Sequence, residues 1–363
     1  MKLDICHVLS DTTVGGAGIF LRNLVSSTDP DFFAHRVLLP RESKLSELLR
    51  EAGATVIQGD FAGDRSLSPS LFLATARLAL GHPPDLLHTH GAAAAAVAGR
   101  LLGGAGLPIM STLHCAVAPR GPRSPFEPVR RFWAATSEEA ACILRHRGVP
   151  SERLRVITNG SPRLSPPTAA EREAARAALG VPGWAFTVGI SARLEPIKDH
   201  DTLLRAVARL VRRGENILAI MIGDGSLSGA LSARAASLGI SDRVIFTGYL
   251  REVRSAYCAL DVHVNCSLGS ETSPLAVSET MSMGIPQAVS DCAGNLELTG
   301  GGRAALVFPR RDCRALSDCL SAYMHSRSLC ERYSAAARDE HAARLSVERM
   351  ARKYEKYYLD VCT

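Results

Sequence analysis

Two cations, Arg193 and Lys198, stand close together in the segment ISARLEPIKD. A guanidinium offers phosphate oxygens a two-pronged donor and an ammonium offers a mobile point charge, so the pair suits a diphosphate; two solvated loop cations would look the same in sequence. Further on, Glu271 and Glu279 flank the segment SPLAV. One carboxylate then precedes a helix start and the other lies about two turns along it. The start itself, from Thr272 through Ser273 to Leu275, presents backbone amides to hydroxyls or anions. A chain with this much glutamate also contains such pairs by accident. His90 ends DLLHTH and His114 ends IMSTLH, and an imidazole at a strand end can donate a hydrogen bond, pass a proton or serve as a buried structural partner. Gly15 and Gly16 lie between an apolar run and a helical pattern, where amides and helix dipole meet an anion. Gly223 and Gly225 end ILAIMIGDG in a similar setting. Neither pair spells GxGxxG, so the dinucleotide fingerprint is absent.

Other chemistries are missing. There is no GxSxG, Walker A or HExxH pattern, which argues against the hydrolases, nucleotidases and metalloproteases those motifs mark. Asp29-Pro30-Asp31 spells DxD, a metal-holding pattern, but its proline and following Phe32-Phe33 read as a turn, and no metal is expected. The 10 cysteines are scattered without a CxxC pair, and Asp4 sits where a leader peptide needs an apolar run. The expectation is a reduced, cytoplasmic protein without a zinc cluster. The apolar tract from Gly91 to Met110 is rich in Ala and Gly and broken by Arg100, short of the roughly 20 strongly apolar residues that span a bilayer.

The elements that would position these groups follow from composition and period. The chain has 363 residues, 46% hydrophobic but only 5% aromatic, with 30 glycines. Its core must be aliphatic, with backbones in close approach, which suits layered α/β packing in two domains. Short apolar runs (LDICHVL, HRVLLP, TVIQ, DLLHTH, IMSTLH) alternate with helical patterns, including one at 92–102. The same alternation resumes with AFTVGIS, ILAIMIG, RVIFTG, DVHVN, PQAVS and ALVFP after the proline-broken SPRLSPPT. Two doubly wound parallel sheets are expected, with the boundary at those prolines. Val347, Met350, Tyr354, Tyr357 and Val361 recur at helical spacing and make a final amphipathic helix. Between 119 and 131, Pro119, Pro122, Pro125 and Pro128 exclude helix, and Arg120, Arg123, Arg130 and Arg131 make the loop basic. It is a candidate acceptor- or membrane-facing element, or a plain solvated loop. The net charge of +6 allows an anionic substrate or lipid surface without demanding either. No repeat of 20–50 residues recurs.

Taken in order, VGGAGIFLRNL, DLLHTHG, STLH, RVITNG, ISARLEPIKD, MIGDGSL, VIFTGYL, DVHVNCS and SETSPLAVSETMSMGIPQAVSDCAGNLEL resemble glycosyltransferase family 4 over nearly the whole chain. The resemblance implies the GT-B fold: two facing Rossmann-like domains, at 1–163 and 164–344, with a helix at 345–363 returning to the first. It implies a retaining transferase that needs no cofactor or metal. Such an enzyme moves a sugar from a nucleoside diphosphate donor, a UDP-sugar foremost, to a hydroxyl acceptor in glycan, polysaccharide or glycolipid synthesis. Nucleic acid is not a partner, and peripheral contact with the inner membrane is open. By the same likeness Gly15 and Gly16 approach the donor phosphates, Arg193 and Lys198 neutralise the leaving diphosphate, and Glu279 holds the ribose with Leu250 and Gly223 near the nucleoside. Glu271 and the turn Thr272, Ser273 and Leu275 face the sugar, His114 contacts it from the first domain, and His90, Arg120 and Arg123 lie on the acceptor side. Departures are Ser273-Pro274 for the family's Phe-Gly and ETMS for its EAMA; Pro274 removes one amide from the turn. A nucleotide-sugar 2-epimerase of the same fold and a catalytically silent sugar-nucleotide-binding subunit are the alternatives.

Overall fold

Nearly every strand is an apolar run that must lose both faces to the interior, and in the computed structural model those runs become parallel sheets covered by helices. The structure describes residues 2–61, 69–90, 106–114, 131–269 and 272–362. It divides into one unit of residues 1–160 with 347–363 and another of residues 161–346.

The first unit runs β1 (Leu3–Leu9), α1 (Gly16–Ser27), β2 (Phe33–Pro40), α2 (Ser46–Glu51), β3 (Thr55–Gly59), α3 (Pro69–Gly81), β4 (Leu86–His90), β5 (Ile109–Leu113), β6 (Arg131–Ala135), α4 (Glu138–His146) and β7 (Leu154–Val156). Its described strands form one parallel sheet in the order β3-β2-β1-β4-β5-β6-β7. The second unit runs α5 (Ala169–Ala178), β8 (Phe186–Ser191), α6 (His200–Arg212), β9 (Ile217–Ile222), α7 (Ser228–Ser237), β10 (Val244–Gly248), α8 (Arg254–Tyr257), β11 (Val262–Asn265), α9 (Leu275–Ser282), β12 (Gln287–Ser290), α10 (Ala293–Leu298), β13 (Leu306–Phe308), α11 (Cys313–His325) and α12 (Arg327–Glu340). Its described strands lie in the order β10-β9-β8-β11-β12-β13, also all parallel. In each sheet the strand order reverses once, between β1 and β4 and between β8 and β11, and loops leaving such a pair diverge to open a crevice at the carboxyl ends.

The last helix, α13 (Val347–Cys362), belongs to the first unit. Its stripe of Met350, Tyr354, Tyr357, Tyr358 and Val361 is buried with Phe20, Leu24 and Val37, which supplies the partner that helical spacing alone does not identify. Its tyrosines keep their hydroxyls satisfied, as burial requires. Tyr357 donates to the Arg153 carbonyl at 2.9 Å, Tyr358 lies 2.8 Å from His88 Nδ1, and Tyr354 lies 3.2 Å from the Thr112 hydroxyl. Tyr354→Ala should therefore cost about 3–5 kcal/mol in denaturant unfolding, like other buried aromatic truncations. Leu359→Ala, on the half-exposed face of the same helix at 51% exposure, should stay within about 0.5 kcal/mol.

Candidate functional site

In the second unit the site is built from two loops that touch through their backbones. The chain leaving β8 passes Ala192, Arg193 and Leu194, makes one 3-10 turn at Pro196–Lys198, and enters α6 through Asp199 in a left-handed conformation with φ 49°. The chain leaving β9 lies against it. Leu194 N–H donates to the Asp224 carbonyl at 3.0 Å, and Leu227 N–H donates to the Leu194 carbonyl at 2.9 Å. No side chain fits between them. A Cβ on Gly223, whose φ is +134°, would sit 2.2 Å from the Ala192 oxygen, and one on Gly225 would sit 2.6–2.8 Å from three Leu194 backbone atoms. These glycines therefore exist for close approach of two backbones.

The clamp fixes what lies on the first loop. Burial lowers the Lys198 ammonium to about 8, and neighbouring Arg193 pushes it the same way. Arg193 itself is exposed and Lys198 half-buried, and two cations that repel each other favour an anion beside them. Glu195 is already engaged: Ser226 donates to its carboxylate through N–H at 3.2 Å and through its hydroxyl at 2.9 Å, which holds the carboxyl below its usual range. It keeps the loops together.

Glu279 sits one turn into α9 and half-buried. Tyr257, from α8, donates its hydroxyl to Glu279 Oε2 at 3.0 Å, and the Ser191 hydroxyl at the end of β8 lies 3.1 Å from the same phenolic oxygen. Burial first, and then the Glu279 charge, push the Tyr257 hydroxyl well above its usual range, so it stays a donor. Ser191 and Tyr257 are positioning groups that sequence spacing does not reveal. Thr272 and Ser273 are buried ahead of α9, Pro274 is its N-cap residue, and Leu275 opens its first turn. Leu250, after β10, is half-buried against the cluster that contains Tyr257, next to the exposed Tyr249. Glu271, Arg120, Arg123, the rest of the proline-spaced loop up to Arg130 and the helix expected at 92–102 lie outside the described residues. Arg131 is described, in β6, with its guanidinium 4.5 Å from the centre of the Trp133 ring.

In the first unit Gly15 is the extended N-cap residue of α1, with φ −135°. Neither Gly15 nor Gly16 has positive φ, and a Cβ on either would meet nothing within 4 Å. The open space lies over the first amides of a helix, while Gly18, against the Leu45 side chain, is the packing glycine of this turn. His90 is only 2% exposed. Its Nε2 lies 3.0 Å from His7 Nδ1 and its Nδ1 lies 3.1 Å from His114 Nε2. It is an interior link between His7 and His114 and not the acceptor-side residue that the resemblance implies. His7, His88 and His90 place ring nitrogens within 4.8 Å of one another, yet each ring has both nitrogens in a hydrogen bond: His88 with Tyr358 and Thr112, His7 with His90 and His35. That pattern is a hydrogen-bond network. Asp29 of the DPD segment receives the Asp31 amide at 2.9 Å, the side-chain turn expected there.

Part of the positive charge lies apart from these loops, around a concavity of about 560 Å³ bordered by α6, α7 and the start of α11. Arg209, Arg212, Arg311 and Arg314 line it, and no ion pair joins them to a carboxylate among the described residues. No helix among those residues is long and apolar enough to cross a membrane.

Two parallel sheets with one order reversal each, in two units, are doubly wound α/β domains, and the solved structures that share this fold over the whole chain are GT-B glycosyltransferases. Residues 14–161 match the family described as Glycosyltransferase Family 4, and residues 185–326 match the family described as Glycosyl transferases group 1. The chain belongs to these glycosyltransferases. The D-inositol 3-phosphate glycosyltransferase of Nocardia farcinica is 31% identical over 211 residues, which are 56% of this chain and 46% of that protein. The enzyme of the same name from Streptomyces griseus is 33% identical over 219 residues, 57% of this chain and 46% of that protein. The alignments thus span about half the length of these relatives. The Anabaena protein HepE, solved with UDP-glucose, superposes with a TM-score of 0.85 at 20% identity, covering 99% of this chain and 100% of that one. Sucrose-phosphate synthase from Thermosynechococcus elongatus gives 0.83 at 18% identity, covering 99% of each chain.

The loop clamp can be tested without a substrate. Gly225→Ala should destabilise the protein by about 1–3 kcal/mol, because the backbone of Leu194 cannot yield as a side chain can. Gly229→Ala, in the open first turn of α7 with nothing within 4 Å of the new Cβ, should stabilise it by about 0.4–1 kcal/mol in the same melts.

Proposed function

We propose that this protein is a retaining, metal-independent glycosyltransferase that moves a sugar from a nucleoside diphosphate donor to a hydroxyl acceptor. The observation that carries the reading is the pair Arg193 and Lys198, held by a backbone clamp at the order reversal of the second sheet, with Lys198 lowered to about 8. Breaking the bond between a sugar and a diphosphate leaves charge on the departing phosphate, and cations already fixed in place stabilise that charge as it develops. They take the part a divalent ion plays in other phosphate chemistry.

Glu279, oriented by Tyr257, is suited to accept from the two ribose hydroxyls; Leu250 and Gly223 border the space for the nucleoside, and the turn at Thr272, Ser273 and Leu275 faces the sugar with Glu271. A UDP-sugar is the donor we favour, since HepE was solved with UDP and with UDP-glucose. In the first unit, Gly15 and Gly16 leave room for phosphate oxygens over the α1 amides, and His114 is assigned to the sugar. The acceptor is a glycan, lipid-linked or small-molecule hydroxyl, with Arg120 and Arg123 on its side, and the protein works in the cytoplasm or on the inner face of the membrane.

The reading is tested by donor turnover with UDP-, GDP- and ADP-sugars and by NMR of the product's anomeric proton. Retention of the donor's anomeric configuration and full activity in chelator are expected. Glu279→Ala and Lys198→Ala should each lower kcat/KM about 10- to 100-fold, the range for losing a hydrogen bond to a charged partner. Full activity of either variant, or an inverted product, would overturn it.

A further inference from the structure

Arg205, Arg209 and Arg212 are spaced by four and three residues along α6, so they stand on one face of the helix, where like charges repel. The helix dipole accounts for cations in the last turn of α6, but not for Arg314, which lies in the first turn of α11 at the positive end of that helix. Arg311, just ahead of α11, takes a left-handed backbone with φ 64°, a conformation that suits glycine and strains other residues. All of these arginines line the concavity of about 560 Å³ bordered by α6, α7 and the start of α11.

Some of the charge there is already matched. Arg205 and Arg234 share Asp201, at 3.9 and 2.7 Å, and Arg310 holds Asp291 at 2.9 Å. Arg209, Arg212, Arg311 and Arg314 pair with no carboxylate among the described residues. One further carboxylate lines the hollow, that of Asp312, and its Oδ1 accepts the amides of Arg314 and Ala315 at 2.9 and 3.0 Å. It offsets one guanidinium at most. Arg209 is half-buried, and its Nε is buried without a hydrogen-bond partner. A guanidinium with a dry donor is poorly solvated, and a counter-charge beside it is stabilising.

The surroundings say which anion fits. A phosphate group carries a charge of about −1.5 to −2 at pH 7, so two of them balance what is left around the hollow, and arginine forks hold phosphate oxygens two at a time. No aromatic side chain lines the concavity among the described residues, so a base has nothing to stack on. None of the large exposed hydrophobic side chains lines it either, so nothing there would enter a bilayer.

We propose that this concavity binds a soluble small molecule carrying two or more phosphate groups, recognised through those phosphates. It is a separate site from the loop that carries Arg193 and Lys198. Neither residue lines it, and Arg209 and Arg212 lie about 14 and 18 Å along α6 from its first residue.

The test is titration of the 15N-labelled full chain with sodium tripolyphosphate at constant ionic strength, followed by amide shifts. Amides at 205–212 and 310–314 should move together and saturate, and inorganic phosphate should bind there at least about 10-fold more weakly. Arg212→Gln and Arg314→Gln, at exposed positions, should each weaken tripolyphosphate about 10-fold, as loss of a charged hydrogen bond does. Lys198→Met should leave the shifts at these amides in place. Equal affinity for tripolyphosphate and inorganic phosphate would mark a merely solvated basic face and overturn the proposal. Shifts that survive in the double glutamine variant would overturn it too, and so would shifts that vanish in Lys198→Met. Vesicles of phosphatidylcholine with cardiolipin offer paired phosphates on a surface instead. Sedimentation of the protein with them that the double variant abolishes would overturn the soluble ligand in favour of a lipid. Because tripolyphosphate carries no sugar, a protein that fails as a transferase can still give the expected shifts, which separates the two readings.

Discussion

The second unit's site depends on a contact that has no side chain in it. Gly223 and Gly225 let the loop leaving β9 press its backbone on Ala192 and Leu194, and that contact, with the amide bonds at Leu194 and Leu227, decides where Arg193 and Lys198 stand. The cations themselves are ordinary. Their value lies in being held, since charge that is already in place need not reorganise when a reaction develops charge beside it.

Holding them has an electrostatic cost that shapes the chemistry. A buried ammonium next to a guanidinium is less stable as a cation than one in water, and Lys198 at about 8 records that. A diphosphate relieves both effects at once, by solvating the ammonium and screening it from Arg193. Glu279 shows the complementary arrangement: its carboxylate is oriented by a buried phenol that stays protonated, so the direction of its remaining acceptor sites is set before any hydroxyl arrives. The first unit places uncharged groups in a comparable way, in a hydrogen-bonded line of buried imidazoles from His35 through His7 and His90 to His114.

Much of this architecture is legible in the chain. Period and punctuation locate the strands of both sheets because apolar runs buried on two faces leave little ambiguity, and β9, ILAIMI, is buried at every position. The same reading assigns no element to α4, α5, α10 or α12; α12 buries only Ala337 fully, so its pattern is mostly polar. Arg193, Lys198 and Glu279 are legible because their motifs are local. The Tyr257–Glu279 bond is not, since it joins a four-residue helix to a distant one. The histidine line is invisible for a related reason: His7, His35, His90 and His114 look like isolated histidines until parallel register sets them side by side. Sequence reading leaves His90 open between a buried partner and the acceptor side, and the structure makes it an interior link.

The central claim is that Lys198 meets a diphosphate as a cation, and calorimetric titration of UDP between pH 7 and pH 9.5 tests it most directly. A phosphate's second ionisation, near pH ~6, is complete over that range, and ionisation of the uracil imide near its upper end affects wild type and Lys198→Met alike, so the difference between the two profiles reports the lysine. Because Lys198 must be protonated to bind and its free-state value is about 8, affinity should hold steady to about pH 8. Above that it should fall roughly tenfold per pH unit, while Lys198→Met binds more weakly without that fall. A wild-type affinity that does not change across this range, or a Lys198→Met protein that binds UDP as tightly as wild type, would contradict the account.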